Sequence, residues 1–377
     1  MMKILCVCGA RPNFMKVAPI MRALAKTREV EAVLVHTGQH YDEKMSGLFF
    51  EELGIPCPDV NLEVGSGSHA AQTAEVMKRF EPVCLQHKPH WVIVVGDVNS
   101  TIACALVAVK LGIKVAHVEA GLRSFDRTMP EEINRVLTDS ISDLLFVSEP
   151  SGVENLRKEG VANDRIHFVG NVMVDTLLQN RARADRSTIL ATLEIRPRRY
   201  AVVTLHRPSN VDRVDVFGSI LSALERISQD MPVVFPVHPR TRKNLETLGF
   251  SERIASAVAL RLIEPLGYLD FLKLMSDAAV VLTDSGGIQE ETTILGVPCL
   301  TLRENTERPI TLTQGTNQLT GTFLKNILDA YANARGQANP SKTPDLWDGH
   351  AAERIVTILT GPSQALSSPK TVLAGVM

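Results

Sequence analysis

The amino-acid sequence predicts an α/β protein built from two doubly wound parallel-sheet domains that face a central cleft. Short apolar runs typical of buried strands alternate along the chain with stretches whose apolar residues recur at helical spacing. The 377 residues exceed what one hydrophobic core usually organises, so two domains are expected. Glycines and polar residues follow several predicted strands, where ligands of parallel sheets bind.

The first half of the chain alternates strands and helices in a Rossmann-like order. Residues 91–95 (WVIVV) give the clearest strand, because five apolar residues stand together between His90 and Gly96. A turn over 9–13 separates the first strand from the first helix. The predicted strands are 3–8, 32–37, 91–95, 114–118 and 144–147, and the predicted helices are 14–25, 45–53, 71–86, 102–111, 130–142 and 151–159.

The second half repeats the alternation after an arginine-rich segment, 181–199, which we interpret as a solvated helix and linker. The predicted strands are 200–205, 233–236, a short one around Leu262, 278–282 and 298–302. The predicted helices are 216–227, 268–276, one starting near 288, 323–334 and 350–359. We therefore expect an N-terminal domain over 1–170 and a C-terminal domain over 171–349. The last segment, 350–377, is expected to rejoin the N-terminal domain.

The stretch 278–298 (AAVVLTDSGGIQEETTILGVP) is the most informative part of the chain. A buried strand is followed by Ser285, Gly286 and Gly287, and good helix formers come next. A strand, a turn of small residues and a helix start together direct unpaired N–H groups and a helix dipole at one point, which suits a phosphate. Glu291, one turn into the helix, is placed to reach a sugar diol. The alternative is an ordinary turn whose glycines only ease packing.

Composition narrows the classes of function. The hydrophobic content of 45% and the net charge of -2 are those of a globular protein with no electrostatic preference for nucleic acid or an anionic membrane. No apolar stretch reaches the length of a membrane span. The six cysteines are scattered without a metal-binding pair, so buried thiols and a cytoplasmic location are expected. The histidines show no metal-binding spacing, and neither a metal nor a cofactor is expected.

Polar residues cluster where the predicted strands end. They are Arg11, Asp97, Glu119, His206 and His238. The carboxyl ends of parallel strands face the cleft, so these side chains should meet there. Each of these residues alone is weak evidence for a site. Asp97, for example, is also in place to cap a helix.

A diphosphate bound without a metal needs cations as well as backbone amides. Arg11, Lys16 and Arg207 are the candidates that lie near the strand ends. His117, two residues before Glu119, is as readily a hydrogen-bonded core histidine as a ligand. A nucleotide diphosphate beside several carboxylates suggests bond breaking at an anomeric carbon.

Eight motifs in order resemble the non-hydrolysing UDP-N-acetylglucosamine 2-epimerases. They are GARPNFMKVAP, GDVNST, HVEAGLRS, MPEEINR, TLHRPSN, VHPRT, TDSGGIQEE and TERP. The resemblance covers nearly the whole chain apart from its tail. It implies the two-domain glycosyltransferase-B architecture, a cytoplasmic homodimer and a role in cell-surface polysaccharide synthesis. It also implies conversion of UDP-GlcNAc to UDP-ManNAc without NAD or a metal.

The resemblance also implies roles for individual residues. Asp97, Glu119 and Glu131 correspond to the catalytic carboxylates, and His206 to an acid or a partner on the phosphate side. One of the three carboxylates should have a raised pKa, because a donor must be protonated. The positions matching the UDP site are Arg11, His206, Ser285, Gly286, Gly287 and Glu291, with His238 and Arg308 as second-rank candidates.

One departure from the family pattern concerns activation by a second UDP-GlcNAc molecule, which some bacterial members show. They use a QHxxQ-type run and an Arg-Gln pair, whereas this chain has Gln39-His40-Tyr41-Asp42 and Ala71-Gln72. An amide and a cation are missing, each worth about 1 kcal/mol or more as a hydrogen bond. We therefore expect substrate activation to be weak or absent.

Three other functions fit parts of the sequence. A glycosyltransferase of the same architecture needs the phosphate turn and Glu291, but has an acceptor site in place of three carboxylates. A non-catalytic nucleotide-sugar sensor needs no carboxylates at all. A 2-epimerase acting on UDP-2,3-diacetamido-glucuronate differs only in the sugar and needs a further cation near C6.

Overall fold

The computed structural model describes residues 1–38, 52–257, 259–336 and 342–361. Seven parallel strands form the first sheet in the order β3-β2-β1-β4-β5-β6-β7, so the chain winds outward from β1 in both directions. The strands are β1 (Met2–Cys8), β2 (Val30–His36), β3 (Val60–Asn61), β4 (Trp91–Val95), β5 (Lys114–Ala120), β6 (Leu144–Val147) and β7 (Ile166–Phe168).

Six parallel strands form the second sheet in the order β10-β9-β8-β11-β12-β13, which repeats the same winding. The strands are β8 (Ala201–Thr204), β9 (Val233–Pro236), β10 (Leu260–Ile263), β11 (Val280–Thr283), β12 (Cys299–Thr301) and β13 (Asn317–Leu319). The predicted class, two doubly wound parallel-sheet α/β domains, is confirmed.

Helices connect the parallel strands. Up to the start of the second sheet they are α1 (Arg11–Ala25), α2 (His69–His87), α3 (Asn99–Lys110), α4 (Pro130–Ile141), α5 (Pro150–Lys158), α6 (Val172–Ala184) and α7 (Ile189–Thr192). Beyond it they are α8 (Pro208–Val211), α9 (Val214–Ser228), α10 (Pro239–Thr247), α11 (Ser251–Ser256), α12 (Tyr268–Ser276), α13 (Gly286–Leu295), α14 (Ile310–Thr313), α15 (Leu324–Gly336) and α16 (Ala351–Thr360). Within the described residues, no helix has both the length and the apolar character needed to cross a bilayer.

The largest buried core joins the two domains. Phe14 of α1, Leu177 of α6 and Leu272 of α12 belong to one cluster of buried apolar side chains. Ile355 of α16 lies in the same cluster, and α16 packs against α1. Helix α6 thus contacts both domains, and the predicted boundary at residue 170 falls just before it.

Several predicted boundaries need correction. Helix α1 begins at Arg11, because Pro12 stands in its first turn, where a proline is tolerated, and does not extend the preceding turn. Most residues of the segment 181–199 are exposed, as expected for a solvated helix and linker, although Ala184, Ile189 and Ile195 are buried in the core. Strand β13 has the polar sequence NQL and gave no apolar signal. The predicted helix 45–53 falls mainly outside the described residues.

Candidate active site

The carboxylate of Glu119 joins the two domains through two cations. Glu119 lies near the end of β5, and its Oε2 atom is ion-paired with Nζ of Lys16 on α1. Its Oε1 atom accepts a hydrogen bond of 2.5 Å from Nη2 of Arg308, which belongs to the C-terminal domain. All three side chains are buried. Burial raises the pKa of Glu119, but the charges of Lys16 and Arg308 outweigh it and lower the pKa.

The backbone around Glu119 is strained. Glu119 has a φ of 73°, which is unusual for a residue other than glycine, and the pairing of β5 with β6 shifts register between Val118 and Ala120. Gly96, at the end of β4, makes room for this arrangement, because a Cβ atom there would lie 2.9 Å from Lys16 Nζ. Such strain is characteristic of functional sites.

Asp97 follows β4 and is held by Arg135 of α4. The Arg135 Nη2 atom lies 2.6 Å from Oδ2 of Asp97 and 3.7 Å from Oε1 of Glu307. Burial raises the pKa of Asp97, yet the charges of Arg135, Lys16 and Arg308 lower it below its usual value. The raised pKa predicted for one of the three carboxylates is therefore not found at Asp97 or Glu119.

Glu131 precedes Arg135 by one helical turn on α4. It lies in the first turn of α4 and is half-buried. Burial lowers the pKa of Arg207 overall, and the Glu131 carboxylate is among the charges that oppose this. Asp97 and Glu119 thus belong to one network of ion pairs that runs through Arg135, Glu307 and Arg308. Arg207 of the opposite domain, on which the Glu131 charge acts, reaches Glu307 at 3.5 Å.

His206 is oriented by an aspartate that the sequence did not single out. Its Nδ1 atom lies 2.8 Å from Oδ1 of the fully buried Asp284, while 54% of the His206 side chain is exposed. Asp284 also accepts backbone N–H groups from His206 and Arg207, at 3.0 and 2.9 Å. Burial raises the pKa of Asp284, but the His206 ring and these hydrogen bonds lower it. Asp284 thus fixes the ring and leaves Nε2 for the cleft.

The predicted phosphate turn begins helix α13. Ser285 is its N-cap residue, and its side chain does not cap the helix. A Cβ atom on Gly286 would collide with the guanidinium group of Arg308, so this cation lies directly against the helix start. Arg308 Nε also donates a 2.7 Å hydrogen bond to Oε1 of Glu290. A helix N-terminus beside a buried guanidinium group is well suited to an anion.

A cavity of about 270 Å³ lies beside this charged cluster. Its walls are mainly apolar and come from both domains, with Met15 on one side and Phe271 on the other. His206, His238, Ser285 and Glu291 also line it. The exposed His238 is the N-cap residue of α10, where its Nδ1 atom accepts the N–H of Arg240 at 3.4 Å.

Glu291 is a buried carboxyl group at the inner end of the cavity. The hydroxyl group of Tyr268 donates to its Oε1 atom at 3.1 Å. Burial, reinforced by the charge of Glu290, raises the pKa of Glu291 to about 8, although the Tyr268 hydrogen bond acts in the other direction. It is therefore mainly protonated at neutral pH.

Some of the predicted positions lie outside the described residues. Arg11 begins α1, but its side chain lies outside the described residues. The run Gln39-His40-Tyr41-Asp42 also lies outside them. Gln72 is described: its Nε2 atom donates to the Gly65 carbonyl at 2.9 Å, and its Oε1 atom accepts from Asn99 at 2.8 Å. In the described parts of the chain, no cluster of His, Cys, Asp and Glu could hold a metal ion.

Several residues of the site were missed by sequence reasoning. Asp284, Glu307 and Arg135 all stood inside the quoted motifs TDSGGIQEE, TERP and MPEEINR, but nothing in the spacing showed which side chains they contact. His117, by contrast, is the core histidine that the sequence allowed: it is fully buried and bonded to Asp139 at 2.7 Å.

This chain is similar to known proteins over nearly its whole length. The profile of the family described as UDP-N-acetylglucosamine 2-epimerase matches residues 22–360. A UDP-N-acetylglucosamine 2-epimerase of Methanococcus maripaludis is 43% identical over 366 residues, covering 96% of this chain and 99% of its own. A UDP-2,3-diacetamido-2,3-dideoxy-D-glucuronate 2-epimerase of Pseudomonas aeruginosa is 41% identical over 361 residues, covering 95% and 99%.

Solved structures are similar over the same length. The Methanocaldococcus jannaschii UDP-GlcNAc 2-epimerase, crystallised in complex with UDP-GlcNAc and UDP, superposes with a TM-score of 0.90 at 45% identity, covering 95% of this chain and 99% of its own. UGT2 of Phytolacca americana shares the glycosyltransferase-B fold alone, with a TM-score of 0.55 and 13% identity, covering 95% and 99%. The chain belongs to the UDP-N-acetylglucosamine 2-epimerase family, a family of isomerases.

Proposed function

We propose that this protein interconverts UDP-GlcNAc and UDP-ManNAc by eliminating UDP and adding it back. One observation carries the proposal: Glu119 of one domain is held by Lys16 and Arg308 directly in front of the start of α13 in the other. A carboxylate suited to a sugar ring therefore stands beside a site suited to a diphosphate. The 45% identical Methanocaldococcus jannaschii enzyme, crystallised with UDP-GlcNAc and UDP, supports the same substrate.

The nucleotide would occupy the 270 Å³ cavity and the adjoining helix start. The uridine fits between the apolar walls, and the ribose hydroxyl groups reach Glu291. The diphosphate is met by the backbone N–H groups of Gly286 and Gly287 and by the hydroxyl group of Ser285, since the Ser285 N–H already donates to Oγ1 of Thr283 at 2.9 Å. Lys16 and Arg308 supply charge there, as does Arg11 by its position in the motif. His206, oriented by Asp284, acts on the phosphate side.

The proposed chemistry begins at C1 because the C2 proton is not acidic by itself. Breaking the C1–O bond sends the electron pair out with UDP and leaves positive charge on C1 and the ring oxygen. A carboxylate then takes the C2 proton, and a C1=C2 double bond forms in 2-acetamidoglucal. Protonation of C2 from the opposite face, with the return of UDP to C1, gives the epimer.

The ion-paired carboxylates suit the charge that develops in this reaction. Asp97 and Glu119 have lowered pKa values and are therefore ionised at neutral pH, as an oxocarbenium ion requires. Glu131, whose charge acts on Arg207, is the third carboxylate that we propose for the sugar ring. Which carboxylate serves which face is left to mutational analysis of the three.

Product analysis tests the proposal. UDP-GlcNAc incubated with the protein alone should yield UDP-ManNAc, and the same equilibrium mixture should form from UDP-ManNAc, as followed by ¹H NMR. Asp97→Asn should abolish the conversion. Absence of conversion in both directions would overturn the proposal.

A second substrate has a specific observation in its favour. The Pseudomonas aeruginosa relative, named for UDP-2,3-diacetamido-2,3-dideoxy-D-glucuronate, is nearly as similar as the first, at 41% identity. The same assay run on that sugar separates the two candidates. The larger kcat/KM identifies the substrate, and conversion of the diacetamido sugar alone would reassign the enzyme.

We propose further that UDP-GlcNAc does not activate this enzyme strongly. Gln72 already bonds to Gly65 and Asn99, and Ala71 supplies no cation beside it. Initial rates should therefore depend hyperbolically on UDP-GlcNAc. A sigmoidal curve that Gln39→Ala makes hyperbolic would contradict this.

We also propose a homodimer. Neighbouring helices α2, α3 and α4 expose large apolar side chains, namely Leu85, Val109, Ile133 and Leu137. Such residues on adjacent helices favour a partner surface. Light scattering during size-exclusion chromatography should give twice the chain mass, and Leu137→Glu should give the monomer. A wild-type monomer at micromolar concentration would contradict the proposal.

A further inference from the structure

Two buried carboxyl groups from opposite domains have no part in the proposed chemistry. Glu149 is the N-cap residue of α5, and Glu290 lies in α13. Each is 1% exposed. In each, the Oε2 atom is buried without a hydrogen-bond partner among the described residues. Buried polar atoms are rarely left in this state, so the pair calls for a physical explanation.

The other contacts of Glu149 tie it to the loop that carries Arg308. Its Oε1 atom accepts a hydrogen bond from the hydroxyl group of Ser151. Ile310, the first residue of α14, belongs to the same buried apolar cluster as Trp347, and the Trp347 indole N–H donates to the carbonyl of Ser148, next to Glu149, at 2.8 Å. The backbone N–H of Ile310 is also among the groups that lower the pKa of Glu149. Ile310 is only two residues beyond Arg308, so Glu149 lies near the segment that carries this cation.

The environment of Glu149 and Glu290 favours a state in which one of the two carboxyl groups is protonated. Burial, and next among the charges the carboxylate of Glu290, raise the pKa of Glu149 to about 7, while Arg308 acts in the opposite direction. Burial is also the main cause of the raised pKa of Glu290. The charges of Arg308 and Lys16 lower the pKa of Glu290, whereas the charge of Glu119 raises it further. Two ionised carboxylates at this interface would repel each other in a low-dielectric environment.

We propose that Glu149 is a positioning residue whose neutral carboxyl group, facing Glu290 across the domain interface, holds the segment 308–310 so that Arg308 reaches both Glu119 and the phosphate site. The proposal rests on the proposed function only for the identity of the phosphate ligand. A neutral Glu149 leaves Arg308 its carboxylate partners without adding another negative charge beside the diphosphate. Arg308 then remains directed at the start of α13.

Isosteric and truncating variants distinguish a neutral carboxyl group from an ionised one. Glu149→Gln keeps the shape of the neutral acid, whereas Glu149→Ala removes the group. We expect Glu149→Gln to bind UDP within about twofold of wild type, and Glu149→Ala to bind it about tenfold more weakly by calorimetry. Glu154→Gln, an exposed position on the same helix, is the matched control and should change neither affinity nor stability.

Thermal unfolding gives a second readout that does not depend on catalysis. The folded-state pKa of Glu149 is raised from 4.5 to about 7, so the wild-type fold loses stability as the pH rises through this interval. Glutamine does not titrate. Glu149→Gln should therefore raise Tm relative to wild type at pH 8.5, and this gain should disappear at pH 4.5.

Three results would overturn the inference. One is a Glu149→Gln variant that binds UDP as weakly as Glu149→Ala. Another is a Tm for Glu149→Gln below wild type at pH 8.5, which would mean that the ionised form is the one used. The third is unchanged UDP affinity in Glu149→Ala. A wild-type protein that binds UDP but epimerises no UDP-sugar would refute the proposed function and leave these tests intact.

Discussion

At the scale of single residues, Glu119 carries the most constraints. Its backbone is left-handed, with a φ of 73°, and its carboxylate is shared by Lys16 and Arg308. Both cations are the kind of group that a diphosphate needs. The carboxylate therefore neutralises charge that a diphosphate would otherwise use, and in the proposed reaction it would stabilise the positive charge that develops on the sugar.

The variant Glu119→Gln separates these two effects. Loss of the carboxylate should lower kcat by about 10²- to 10⁴-fold, because proton transfer and charge stabilisation are removed. UDP affinity should not fall, since Lys16 and Arg308 lose a competing anion. NMR assays and calorimetry measure the two quantities, with the exposed Glu264→Gln as the control. A parallel loss of UDP binding would show that Glu119 serves mainly to hold the site together.

We expect Glu291 to make nucleotide binding depend on pH. With a pKa of about 8, its carboxyl group is mostly neutral at pH 7, and only the carboxylate can accept hydrogen bonds from two ribose hydroxyl groups with both oxygens. UDP binding should therefore tighten by up to about tenfold per pH unit between pH 6.5 and 8.

Titration calorimetry across this pH range checks the prediction, with Glu291→Gln as the variant that cannot ionise. The ratio of the variant Kd to the wild-type Kd should increase with pH and level off above pH 8. A ratio that stays constant would mean that the ribose does not need the ionised carboxylate.

At the scale of secondary-structure elements, the start of α13 brings the phosphate turn and Arg308 into contact. The packing depends on Gly286, since a Cβ atom there would displace the Arg308 guanidinium group, which bonds to Glu119 and Glu290. A Cβ atom on Gly287 would instead lie 3.4 Å from Cε of Met173, a flexible side chain. The absence of a side chain at Gly286 therefore leaves room for Arg308, whereas Gly287 contacts only Met173 in this way.

Gly286→Ala and Gly287→Ala form a matched pair for this element. Gly286→Ala should weaken UDP binding by about tenfold or more, because Arg308 must move and its charge-assisted hydrogen bonds are lost. Gly287→Ala should change it by less than about threefold. Equal losses in the two variants would show that the turn tolerates no side chain for reasons unrelated to Arg308.

The elements that could be predicted from the sequence are those with a strong local pattern. Strands β4 and β9 and helix α12 have their predicted bounds, because a continuous apolar run or a clear helical period marks each of them. The polar strand β13 has no such pattern and forms only because β12 lies beside it. Propensity cannot show a strand that depends on its neighbour.

The candidate site was predictable in its residue types and not in its contacts. Strand-end positions predicted Asp97, Glu119 and His206, because parallel strands end at one edge. Lys16 and Glu119 are 103 residues apart in the chain, and Glu119 and Arg308 are 189 apart. No local spacing reports such pairings, and nothing in the sequence indicated Glu149.

At the scale of the whole molecule, the two domains form one site only when they are together. The N-terminal domain contributes Lys16, Asp97 and Glu119, and the C-terminal domain contributes Arg308 and the start of α13. The shared core through α6 keeps the domains adjacent behind the cleft. In the proposed reaction, these carboxylates and the start of α13 would approach the UDP-sugar from opposite domains.

Hydrogen exchange at C2 of the sugar tests this account most directly. UDP-GlcNAc incubated with the protein alone in D₂O should acquire deuterium at C2 as UDP-ManNAc forms, and the ¹H NMR signal of that proton should disappear from both epimers. A glycosyltransferase or a nucleotide-sugar sensor would leave the C2 proton in place. Formation of UDP-ManNAc with its original proton retained, or no exchange at all, would contradict the elimination of UDP between facing carboxylates and phosphate turn.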